Sequence, residues 1–100
     1  MQIEKFTTRL VLEKSEDMIY FSQLDLASIL TRALRRAGLP LYYTQGFNPR
    51  VKMSFGRALK LGVSGREEVI LYFTEKIAPQ ELQEKLSPQI PQGLRIIEIS

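Results

Sequence analysis

The apolar positions of this chain change period several times, and each change marks the edge of an element. Between Ile3 and Glu13 they alternate. Phe6, Leu10 and Leu12 share one side while Lys5, Thr7, Arg9 and Glu13 take the other, which is the pattern of a half-buried strand. Lys14-Ser15-Glu16-Asp17 reads as a turn, and Met18 to Phe21 as a short returning strand. From Ser22 onward the period lengthens. Leu26, Ile29, Leu30, Ala33, Leu34 and Ala37 follow i, i+3, i+4 spacing, which gathers them into one stripe of a helix. Ser22 and Asp25 stand as a capping-box-like pair at its start, with Phe21 and Leu26 at the positions of a hydrophobic staple. Gly38 and Pro40 stop it.

A loop through Thr44 to Pro49 follows, and then alternation returns. Arg50 to Leu61 predicts a second strand with Val51, Met53, Phe55, Leu59 and Leu61 on one side; Arg57 breaks the pattern, which suggests a bulge near Gly56. Gly62-Val63-Ser64-Gly65 predicts a hairpin connection. Glu67 to Thr74 is a third strand, with Val69, Leu71 and Phe73 opposite Ile70 and Tyr72. Pro79 opens a short helix carrying Leu82 and Leu86, and Pro91-Gln92-Gly93 turns into a last strand from Leu94 to Ile99. The order β-α-β-β-α-β predicts an α+β domain: a ferredoxin-like sandwich, an antiparallel sheet with two helices on one face. No helix is then left to cover the second face of the sheet. That face is expected to carry Val11, Ile70, Tyr72, Ile97 and Ile99 beside Lys5, Arg9, Lys52 and Arg95. Val11, Ile70, Tyr72 and Ile97 are the candidate interface for a partner protein or for a homodimer through the open sheet.

Composition narrows the function classes. With 100 residues, 44% hydrophobic and 25% charged, the chain suits one small globular domain. Its apolar runs are far too short for a membrane span, and its first residues do not resemble a secretion signal, so a cytoplasmic setting without membrane is expected. Cysteine and histidine are both absent from the sequence. Disulfides, thiolate zinc sites and cysteine-held iron–sulfur clusters are thereby excluded, and the usual base at neutral pH is missing. No catalytic residue, metal or cofactor is expected.

Charge changes the picture more. Leu26 to Arg66 holds eight basic residues and no acid, while the rest of the chain holds six basic residues against eleven acids. A one-sided block of this kind suits a polyanion. Within it, Gly46 permits a backbone conformation other residues avoid, and Asn48 before Pro49 favours a turn. Such a loop can aim amide N–H groups at an anion. Two readings of the loop stay open. In one, Phe47 and a ring of Tyr42 or Tyr43 stack on bases, Gln45, Gly46 and Asn48 add polar groups, and Arg50, Lys52 and Arg57 neutralise phosphates, as in a contact with single-stranded RNA. In the other, Phe47 is a core plug, Gly46 and Pro49 are plain turn residues, and the tyrosines edge the core. The cluster Arg32, Arg35 and Arg36 likewise serves either phosphates or the dipole of its own helix. Gly38-Leu39-Pro40 leads from this cluster into the loop, so the two basic groups are expected to adjoin. Neither a phosphate-loop motif nor the aromatic pattern of an RNA-recognition motif occurs.

The segments "FSQLDLASILTRALRRAGLPLYYTQGFNPR" and "MSFGRALKLGVSGREEVILYF" together resemble the bacterial radical-SAM-linked domain of unknown function. The resemblance rests on "RRAGLPL-Y-QGFNP" followed by "SF…L-LGV-S" and runs over nearly the whole chain. That domain occurs beside or fused to radical SAM enzymes and, in some proteins, beside a ribonuclease G-type domain. Its members continue for about as long again, so this chain is expected to be the N-terminal half of a longer domain. The resemblance implies an accessory, non-catalytic role near RNA-modifying or RNA-processing enzymes, with tRNA or rRNA, or a radical SAM protein, as partner. Relatives often carry Ser-His-Leu-Asp where this chain has Ser22-Gln23-Leu24-Asp25. Any chemical role of that histidine is lost here, while the capping role of Ser22 and Asp25 is kept. Two expectations follow: an RNA-binding accessory domain, or an interaction module docking on a radical SAM partner through its open sheet. The location of exposed aromatic and apolar side chains separates them, in the basic loop for RNA and on the sheet for protein.

Overall fold

The computed structural model describes residues 4–56 and 65–100. Arg57, Leu59, Leu61 and the predicted turn residues Gly62, Val63 and Ser64 lie outside the described residues. Four strands, β1 (Phe6–Lys14), β2 (Met53–Phe55), β3 (Arg66–Phe73) and β4 (Leu94–Ile99), form one antiparallel sheet in the order β2-β3-β1-β4. Two helices, α1 (Gln23–Arg36) and α2 (Pro79–Leu86), complete a mixed α/β domain.

The period-2 and period-3.6 stripes meet in one core. Leu10 and Leu12 of β1, Val69, Leu71 and Phe73 of β3 and Leu94 of β4 share a buried cluster with Leu26, Leu30, Ala33 and Leu34 of α1 and Leu82 and Leu86 of α2. Each fully buried leucine contributes about 1.5–3 kcal/mol. The capping box is formed: the Asp25 N–H donates to Ser22 Oγ at 3.2 Å, and the Ser22 N–H donates to Asp25 Oδ2 at 3.0 Å. Gly38, at φ 71, follows the helix end. The start of α1 is also tied to the sheet by a shielded polar knot. Lys14 Nζ lies 3.2 Å from Glu67 Oε1 and donates to the Phe21 carbonyl at 3.1 Å, while Gln23 Nε2 donates to Glu67 Oε2 at 3.4 Å. Gln23, although exposed, is thus held by a polar contact to Glu67.

Four expectations need correction. Met18 to Phe21 is not a strand: Glu16–Tyr20 form a 3-10 turn, entered through Glu16 at φ 55. A single apolar residue, Met18, points inward and is buried, so a tight turn satisfies it without pairing. Second, β2 is shorter than predicted in its described part. Arg50 and Lys52 lie before it, and the chain around them pairs with Tyr42 to Thr44 instead. Third, Ile99 does not lie on the open face. The register between β1 and β4 slips after Val11, whose partner is Glu98 whereas that of Leu12 is Ile96. Ile97 is the extra residue, and the slip returns Ile99 to the core side.

Val11 is also not the half-exposed residue that an open face suggests; only 5% of it is accessible. Its cross-strand neighbours are Glu68 and Glu98, and Arg9 reaches both of their carboxylates, the second at 2.6 Å. On its other side Glu13 faces Arg95 at 2.7 Å and Arg66 at 3.7 Å. Val11 therefore lies between two ion-pair bridges. Glu98 first and Glu68 second raise the Arg9 guanidinium above its ordinary pKa, so it stays charged. Ile70 and Tyr72 are half-buried, Ile97 is 37% exposed, and Lys52 Nζ sits 5.0 Å from the Tyr72 ring centre.

Candidate nucleic-acid interface

At 100° per residue, α1 carries a second stripe nearly opposite its core stripe. It consists of Leu24, Ala27, Ser28, Thr31, Arg32 and Arg35, spaced by threes and fours like the first. This stripe is one wall of a groove of about 520 Å³. Pro49, Arg50, Val51 and Met53 line it from the other side. Its α1 wall is apolar near the helix start and basic near the helix end.

The opposite wall is positioned by a tongue of chain. Leu41 bridges Phe73 and Tyr43 bridges Val51, both antiparallel. The Thr44 N–H donates to the Arg50 carbonyl at 2.8 Å, and the Arg50 N–H donates to Thr44 Oγ1 at 3.1 Å. These bonds pinch off Gln45 to Pro49 as a projecting tip. Gly46 sits there at φ 134, a value that residues with a Cβ rarely adopt. Phe47 is fully exposed at 103% relative accessibility, so it is not a core plug. Gln45 and Asn48 are exposed beside it.

The predicted basic residues separate into groups. Arg32, Arg35 and Arg50 come together at the groove. The Arg35 guanidinium lies 5.9 Å from the ring centre of Tyr43, which is 38% exposed, so the two planar groups adjoin. Arg36 turns elsewhere: its Nε donates to Gln89 Oε1 at 3.1 Å and its Nη2 to the Gln89 carbonyl at 2.9 Å. That contact ties α1 to the 3-10 turn Ser87–Gln89 after α2. Lys52 lies with Tyr72, toward the open sheet face, and Arg57 lies outside the described residues.

The end of α1 contributes about half a negative charge through its dipole, which one arginine suffices to offset. Arg32, Arg35 and Arg36 exceed it, and Arg50 adds to the excess. Among the described residues none of Arg32, Arg35, Arg36 or Arg50 forms an ion pair. The site is thus a positive groove beside an exposed aromatic.

The α1 wall of the groove is visible in the residue spacing as the second stripe of α1, but hydrophobic period alone does not single it out. Two large apolar side chains near the start of that helix, Tyr20 and Leu24, are also exposed, at 82% and 80%. Among the described residues no group of three acidic, histidine or cysteine side chains is placed to hold a metal ion, and no helix is long and apolar enough to cross a membrane.

Residues 8–100 match the family described as an uncharacterized protein conserved in bacteria, DUF2344. The chain belongs to this family. The DUF2344 match takes in both walls of the groove and all of the sheet except Phe6 and Thr7, so the groove is built entirely from family sequence. No curated protein and no solved structure matches the chain.

Proposed function

We propose that this domain is a non-catalytic RNA-binding module, acting as an accessory to radical SAM or RNA-processing enzymes. The observation that carries the reading is the meeting of Arg32, Arg35 and Arg50 around one groove with no acid in its lining. Phosphates need cations whose charge is not already spent, and these three lack acidic partners among the described residues. The exposed ring of Phe47 on the adjoining tongue supports it, since a base can stack on any open aromatic face. In this reading the fold is ferredoxin-like, supported by the β-α-β-β-α-β element order and by the pairing of β1 with both β3 and β4.

The competing docking of a protein on the open sheet has weaker support. Val11 is buried, the charges around it are paired, and Ile97 is the one large apolar residue more than a third exposed among the described residues of the sheet. Filter binding of bulk tRNA across a salt series tests the RNA reading. Three phosphate contacts give a slope of log affinity against log salt of about −2 on single strands. A slope near zero, or no retention at low salt, would overturn the reading.

A further inference from the structure

The geometry points to a single unpaired nucleotide as the occupant of the groove, its base on the apolar end and its phosphates on the arginines. This rests on the RNA reading above and names which form of RNA fits. The size of the groove argues first. About 520 Å³ falls within the roughly 300–1,000 Å³ of clefts that enclose a small molecule. A reader of duplex RNA instead lays an extended surface across about 16 base pairs.

The distribution of chemistry argues next. Leu24 and Ala27 from α1 meet Val51 and Met53 from the tongue side, which gives an apolar floor with no charge of its own. A stacked base pair has no exposed face to lay on such a floor, whereas an unstacked base has two. Ser28 and Thr31 lie between that floor and the arginines, where a base edge or a 2′-hydroxyl needs hydrogen-bond partners. Arg32, Arg35 and Arg50 hold the other end. Side-chain volume argues last. Ala27 and Ser28 are small, and Ser28 is exposed, so the middle of the wall leaves room that a larger side chain would fill.

The test compares three probes on the whole chain by fluorescence anisotropy. They are a labelled RNA strand of about 12 nucleotides, within the site sizes of roughly 4–16 seen for single-strand binders, the same strand annealed to its complement, and inorganic polyphosphate as an unlabelled competitor. The single strand should bind about tenfold more tightly than the duplex, and polyphosphate should compete poorly. Ala27→Leu and Ser28→Leu should each weaken single-strand binding about tenfold, the low end for loss of one base contact, without changing the salt slope. Ser28→Leu keeps the test decisive if Ala27→Leu fails to fold, because position 28 faces solvent. Equal affinity for strand and duplex, effective competition by polyphosphate, or unchanged affinity in a folded Ser28→Leu variant would each overturn the nucleotide assignment and leave RNA binding in place. Failure of every nucleic-acid probe to bind at low salt would overturn both.

Discussion

The open face of the sheet and the outer face of α1 both bring arginines to the surface, and they use them in opposite ways. On the sheet, Arg9, Arg66 and Arg95 are answered by Glu68, Glu98 and Glu13, and the bridges shield Val11. Along the groove, Arg32, Arg35 and Arg50 have no acid within ion-pair distance among the described residues. The contrast follows from where the acids lie in the sequence: strands β1, β3 and β4 supply both signs, whereas Leu26 to Gly65 supplies one. A paired surface spends its charge on its own fold. An unpaired one keeps it for a ligand, at the cost of mutual repulsion that salt or a polyanion relieves.

Reversing the groove charge should have the largest effect. The triple variant Arg32→Glu, Arg35→Glu, Arg50→Glu is expected to lower affinity for bulk tRNA by about 100-fold or more at low salt and to flatten the salt slope. Its thermal midpoint should fall only slightly, because none of the three arginines has an acidic partner to lose among the described residues, while Glu at position 35 opposes the helix dipole and gives up the Tyr43 contact. A large fall in stability with unchanged affinity would invert the comparison and make the groove arginines structural.

Phe47→Ala comes next. Removal of the exposed ring should cost about 1–3 kcal/mol of RNA binding if a base stacks on it, with the salt slope unchanged. Because Phe47 is fully accessible, the melting temperature should not move. Scanning calorimetry beside anisotropy reads both quantities, and a destabilised protein with intact binding would show that the tongue packs against something through that ring.

The sheet face should answer in the other currency of measurement, stability without affinity. Glu68→Gln removes one of the two carboxylates that hold Arg9. Both partners are partly exposed, so the melting temperature should fall only slightly. RNA affinity should be unaffected. A change in RNA affinity comparable to that of Phe47→Ala would mean that the two faces are coupled.

How much of this was legible in the residues depends on the range of the interactions involved. The capping box of Ser22 and Asp25 and the stripe from Leu26 to Ala37 are set by neighbours within a turn or two, and both appear where the spacing puts them. The alternation of β3 is equally local and equally plain. Met18 to Phe21 is too short to show any period, so a turn and a strand cannot be told apart there. The slip at Ile97 is a one-residue event decided by pairing with β1, and it reverses the facing of Ile99. The tongue depends on pairing between Tyr42–Thr44 and Arg50–Lys52, which residue types alone do not announce. The groove was written in the second stripe of α1, but Leu24, Ala27, Ser28, Thr31, Arg32 and Arg35 share a face without sharing a polarity. A search for hydrophobic period passes over such a set.

The smallest effect is expected at Ile97, and it bears on the remaining use of the sheet face. Ile97 is the extra residue of the bulge and 37% exposed, so it adds little to the core. Ile97→Lys should change stability by less than about 0.5 kcal/mol, as exposed substitutions do. If the sheet face only supports the fold, sedimentation profiles of the parent chain and the variant will coincide at every concentration. If copies or partners dock there instead, a lysine in the contact will leave a buried charge unpaired and shift the profile toward the monomer. Such a shift with an unchanged melting temperature would mean that the paired face also has an outward task, and the division of labour between sheet and groove would no longer hold.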